Sequence, residues 1–152
     1  VITSVLGAPG SGKTAVRGPL AARLPTCAVV DWDAFMEPAG ALAGCVIRES
    51  PPTWPAYRQL VRTVLDVLPR PIVLLGVCTP AELPGWPIDV WVVLDCSDEE
   101  RTRRLGQRAD TSTVREAIRD AREYRSLGLP VVDSTGRTPE EVAGDLARFV
   151  RF

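Results

Sequence analysis

Residues Gly7-Ala8-Pro9-Gly10-Ser11-Gly12-Lys13-Thr14 fit the spacing G-x-x-x-x-G-K-[ST], which cradles phosphates. Glycines at 7, 10 and 12 let the backbone turn tightly and aim successive N–H groups at an anion. The helix expected to follow adds its N-terminal partial charge. Ala8, Gly10, Ser11, Gly12, Lys13 and Thr14 are therefore the expected contacts to a nucleoside triphosphate. Lys13 reaches the β- and γ-phosphates of ATP, and the Thr14 hydroxyl is a Mg²⁺ ligand. Lys13 is the only lysine among 18 basic residues. A chain that otherwise uses arginine keeps a compact charge on a flexible stem at this one position, where it suits phosphate.

A second group of reactive side chains follows at Asp31-Trp32-Asp33, at the expected carboxyl end of a parallel strand, where open α/β sheets bind ligands. Positions 31 and 33 share a side if the strand runs on. Asp31 would then hold a water of the Mg²⁺ shell, and Asp33 would take the proton of a hydroxyl attacking the γ-phosphate. The competing reading is that one of the two caps a helix beginning near Ala34. Trp54 and Tyr57 belong either to the core or, with Trp32 and Phe35, to the wall of an apolar acceptor pocket. Thr79 falls at the end of another strand, where it either touches the acceptor or shapes a turn. Arg101, Arg104 and Arg108 share one helix face, an arrangement usually explained as a solvated charged surface.

The elements that must position these groups alternate along the chain. Apolar runs at 1–6, 27–30, 71–77, 88–94 and 129–133 read as strands. Helical patterns follow at 15–24, 54–68, 99–108, 113–127 and after the strong start Thr138-Pro139-Glu140-Glu141. Ser97 or Asp98 should cap the third of these, 99–108. Residues 37–53 read as partly helical and then loop, with the acceptor segment placed at about 34–58 and a short lid at about 108–115. The whole of 1–152 reads as one α/β domain, a parallel five-stranded sheet with helices on both faces.

Composition sets the outer limits. Apolar residues are 45 % and charged residues 24 %, with a net charge of −1 and no basic run, so no nucleic-acid surface is indicated. The four cysteines are widely spaced and histidine is absent, which argues against a structural zinc site. Reduced thiols, the immediate entry of Val1 into a strand and the lack of a membrane-length apolar run make a cytoplasmic setting the expectation.

The order of phosphate loop, D-x-D after the second strand, apolar third strand, "VVLDCSDEERTRRLGQR" and "LPVVDSTGRTPEEVAGDLARFV" resembles the small phosphate-loop kinases. That group includes adenylate kinase, shikimate kinase and chloramphenicol phosphotransferase. The resemblance implies a P-loop NTPase fold with strand order 2-3-1-4-5. It places Arg104 on adenine, Arg108 on the phosphates, Arg115 near the lid, and the turn 134–137, with Arg137, along the adenine edge. It also implies ATP and Mg²⁺ as cofactors and a small-molecule acceptor, in a monomer or homodimer. No asparagine occurs, so a guanine-selective N-K-x-D switch is excluded. Gly76-Val77-Cys78-Thr79-Pro80 lacks the arginine by which monophosphate kinases hold an acceptor phosphate, although Arg48 and Arg58 keep that reading open. A regulatory ATP-binding module without an acceptor is the third possibility. The aromatic-rich acceptor region favours a neutral, partly apolar alcohol.

Overall fold

The computed structural model describes residues 1–106 and 110–152. Its sheet is parallel and five-stranded, in the order β2-β3-β1-β4-β5. The strands are β1 (Ile2–Leu6), β2 (Ala28–Asp31), β3 (Ile72–Gly76), β4 (Val90–Asp95) and β5 (Val131–Asp133). Helices α1 (Lys13–Arg23), α2 (Met36–Ala43), α3 (Trp54–Val67), α4 (Asp98–Gly106), α5 (Thr111–Arg125) and α6 (Pro139–Ala147) complete the three layers. This is the expected phosphate-loop topology. β1 pairs in register with β3 (Leu6 opposite Gly76) and with β4 (Leu6 opposite Val93). The loop after β1 therefore leaves the middle of the sheet at the common carboxyl edge.

Strand side chains alternate between two apolar layers, as a period of two requires. Val5, Val73, Leu75, Val92 and Leu94 pack under Val16 and Leu20 of α1 and Val142 and Leu146 of α6. On the opposite face Ile2, Ile72 and Leu74 meet Tyr57, Val61 and Leu65 of α3. Nearby, Leu6 and Val93 meet Ala121 and Tyr124 of α5. Every residue of β1 and β3 is buried, which explains why both read as continuous apolar runs rather than alternating ones.

Several boundaries differ from the sequence reading for local reasons. Strand β2 stops at Asp31, and Trp32–Phe35 turn as a 3-10 helix, so Asp31 and Asp33 do not share a strand face. The stretch expected to be partly loop is helical for much of its length: α2 is followed by 3-10 turns at Ile47–Glu49 and Pro51–Thr53. α2 can turn into the next segment because Gly40 lies against the Cys45 carbonyl, 2.5 Å from where a Cβ would sit. Helix α6 starts with the expected capping box, Thr138 and Glu141 each closing on the other's backbone. Ser97 caps α4 by accepting from the Glu100 N–H (3.1 Å).

Candidate active site

The glycine loop is built as its spacing demands. A Cβ on Gly7 would sit 2.5 Å from Ser11 Oγ, and Gly10 and Gly12 have φ of +81° and +102°. Gly12 is the N-cap of α1, with no side-chain cap and no acid in the first turn. The first bond into the helix runs from Val16 N–H to Gly12 C=O (3.0 Å), so the amides of Lys13, Thr14 and Ala15 precede the internal ladder. Ser11 Oγ is buried without a partner among the described residues. An uncapped helix start, an orphaned hydroxyl and a lysine are a donor set that fits a polyphosphate. Lys13 turns its Nζ back onto the Gly7 carbonyl. Burial lowers its pKa to about 8, opposed by the carboxylates of Asp33 and Asp31.

Those two aspartates occupy the turn after β2. Asp31 caps the 3-10 helix by accepting from the Asp33 N–H (3.0 Å) and lies 3.9 Å from Arg17. Asp33, in the first turn of that helix, is free of capping duty and meets Arg48 at 3.5 Å. Behind them Trp32 is buried and stacks edge-on against Tyr57 (centroids 5.6 Å apart), with Trp86 tilted at 5.8 Å. The Tyr57 hydroxyl donates to the Trp32 carbonyl, and burial pushes its pKa up. Trp54 Nε1–H donates to the Ile47 carbonyl (3.0 Å), which leaves its ring partly exposed at the rim.

Loop and aspartates face one cleft of about 870 Å³, within the range of small-ligand sites. It is lined by Asp33, Met36, Arg48, Trp54 and Tyr57 and also by Arg104, Ser134 and Arg137. A family model described as an AAA domain matches residues 4–125. The chain belongs to the AAA domain family.

Three solved structures share the fold of this AAA domain. TT1252 from Thermus thermophilus is 22 % identical with a TM-score of 0.67, over 99 % of this chain and 98 % of that one. Shikimate kinase from Acinetobacter baumannii, solved with shikimate, is 14 % identical at TM-score 0.70, over 97 % and 90 %. A Deinococcus radiodurans tunicamycin resistance protein is 19 % identical at 0.71, over 97 % and 93 %. No curated protein matches the chain in sequence. Family and fold together bear out the resemblance to the small phosphate-loop kinases.

Within this AAA domain the remaining expected residues divide. Ala8 is buried in the core with Leu6 and Val93, and only its carbonyl serves the loop, accepting from Ser11 N–H (3.1 Å). Phe35 packs on the layer around Tyr57 rather than lining the cleft. Thr79 is buried and forms a capping box with Glu82, so turn chemistry accounts for it. Arg104 lines the cleft, its guanidinium N–H groups engaged by the Gly10 carbonyl (3.1 Å), Ser134 and Glu100. Arg137 is paired with Asp145 at 2.7 Å and also lines the cleft. Arg115 is exposed and does not line the cleft. Arg108, and with it the start of the expected lid, lies outside the described residues.

Sequence reasoning missed Arg101. It was grouped with a solvated face, yet it is wholly buried and holds the Pro9 carbonyl and Asp95. The available signal was Asp95 itself, a carboxylate ending an apolar strand six residues before it.

Proposed function

We propose that this chain is an ATP-dependent phosphotransferase that moves the γ-phosphate to a hydroxyl of a small, mostly uncharged molecule such as a nucleoside, sugar derivative or antibiotic. The observation that carries this reading is the placing of Asp33 and the glycine loop on the same cleft, with Lys13 close enough to feel both Asp33 and Asp31. A nucleotide sensor needs no carboxylate facing an open acceptor chamber.

Bound Mg²⁺–ATP supplies the phosphoryl group and part of the charge neutralisation. The loop amides and Lys13 orient the polyphosphate, Lys13 exchanging the Gly7 carbonyl for phosphate oxygens. Thr14 offers its hydroxyl to the metal, and Asp31 accepts from the water shell. Asp33 accepts the acceptor's proton as the acceptor oxygen forms its bond to the γ-phosphorus and the bond from that phosphorus to the bridging oxygen breaks, the bridging oxygen leaving with ADP; Arg108 is assigned the charge on the moving group. Trp32, Tyr57 and Trp54 limit the acceptor's size and exclude water. None of the described helices is long and apolar enough to cross a membrane.

A monophosphate-kinase reading draws support from Arg48 and Arg58, which both line the acceptor end. Both are engaged, however, Arg48 by Asp33 (3.5 Å) and Arg58 by the Glu82 carbonyl (3.2 Å). An ADP-release screen across nucleosides, sugars, antibiotics and nucleoside monophosphates separates the readings. Release stimulated by a neutral alcohol is expected. Stimulation by monophosphates alone favours the second reading, and a flat result with every acceptor leaves a regulatory module.

A further inference from the structure

We propose that Arg101 is a positioning residue for the phosphate loop, fixed by Asp95 and Arg125, which ties the loop backbone to the α4–α5 pair and places positive charge behind the bound phosphates. The inference rests on the nucleotide reading of the cleft. Arg101 is 0 % exposed. One end of its guanidinium donates to the Pro9 carbonyl (2.6 Å) and the other to Asp95 Oδ1 (2.5 Å). Its stem passes directly behind Gly10, 3.1 Å from where a Cβ would stand. From α5, Arg125 holds the other oxygen of the same carboxylate at 2.6 Å and reaches Asp98 at the rim (3.0 Å).

Two features take this beyond packing. The first is peptide geometry. The Pro9–Gly10 bond is trans, so the Pro9 C=O and the Gly10 N–H lie in one plane and point in opposite directions. Drawing the carbonyl back onto Arg101 turns the Gly10 N–H forward, toward the cleft. The second is charge. Among the described residues Arg101 meets one carboxylate, Asp95, and shares it with Arg125, whose far end is met by Asp98 at the rim, so the buried guanidinium beside the loop is only partly neutralised. A buried arginine is a costly way to fill space that an apolar side chain would fill as well. An arginine whose surplus charge lies behind an anion site has a use that a leucine lacks.

The test measures ADP affinity by calorimetry, and amide hydrogen exchange, in the native chain, Arg101→Lys, Arg101→Met and Arg125→Gln. Lysine keeps the charge but cannot span Pro9 and Asp95 together. Arg101→Lys should raise the ADP Kd by about tenfold and Arg101→Met by more, since hydrogen bonds from charged groups are the strong ones. Arg125→Gln, at the partly exposed end, should raise it by about threefold. Exchange at Gly10 should quicken in Arg101→Lys while β1 and β3 stay protected. A lower melting temperature with unchanged ADP affinity and loop exchange in folded Arg101→Lys would mark the arginine as structural and overturn the proposal. Should both Arg101 variants fail to fold, Arg125→Gln decides by the same two readouts. A native chain that binds neither ADP nor ATP would instead sink the nucleotide reading itself.

Discussion

Lys13 meets opposing demands at residue scale: it must be charged to grip phosphate, yet it sits where burial lowers its pKa from 10.5 to about 8. Between those values the unfolded chain holds a proton that the folded chain has shed, so this group's contribution makes the ligand-free fold more stable as pH rises across that window. Below about pH 8 the desolvation penalty is fully present. A polyphosphate restores the charge, so nucleotide binding should take up a proton above about pH 8, and affinity should fall as pH rises further. Calorimetry in buffers of different ionisation enthalpy checks this, and buffer-independent heats would refute it. Asp33→Ala should lower turnover by about a hundredfold or more while leaving ATP affinity nearly intact, as read from steady-state ADP release and titration. The loop was legible because its signal is local, each glycine answering a steric need within eight residues. Arg101 was illegible because the Pro9 carbonyl and Asp95 reach it only through the tertiary fold. Its neighbours Arg103 and Arg104, paired with Glu100 in the same helix, made the whole row look like surface.

At the scale of elements, α2 and the turns after it set the end of the cleft proposed to take the acceptor. Gly40→Ala would push a methyl group into the Cys45 backbone, which cannot swing aside as a side chain can. It should destabilise the fold by about 1–3 kcal/mol, seen as a lower denaturant midpoint. It should also raise the acceptor KM more than the ATP KM, because Arg48 follows in the displaced turn. Helix α6 flanks the opposite end, and Thr138→Ala, which opens its capping box, should cost about 1 kcal/mol. Strands and capped helices were readable within a residue or two, since pattern and caps agree. Of the two readings of the turn after β2 the capping one holds for Asp31, and alternation could not choose between them because it does not reveal where a strand stops. Asp31 ends it by bonding its side chain to the Asp33 N–H, a choice that Asp makes as readily in a turn as at a cap.

At the scale of the whole molecule, sheet order and layer assignment followed from the β-α alternation and the family resemblance together, and the structure bears out both. How its ends cooperate was not readable, because the contacts joining the loop to Cys96 and to Arg101 of α4 span more than eighty residues. A ligand that bridges these parts should stabilise all of them. ADP at about a hundred times its Kd should add about 2.7 kcal/mol, visible as a higher melting temperature and as exchange protection in both α1 and α6. A rise in melting temperature without protection in α6 would confine the ligand to the loop.

One side chain in these 152 residues ends in a primary amine, and it lies folded back against the strand from which the loop departs. An acylating reagent therefore has one side-chain amine to modify, and an adduct there should block the proposed phosphoryl transfer. Peptide mapping that separates the Lys13 adduct from one on the α-amine would then report occupancy of the glycine loop, with nucleotide acting as the shield.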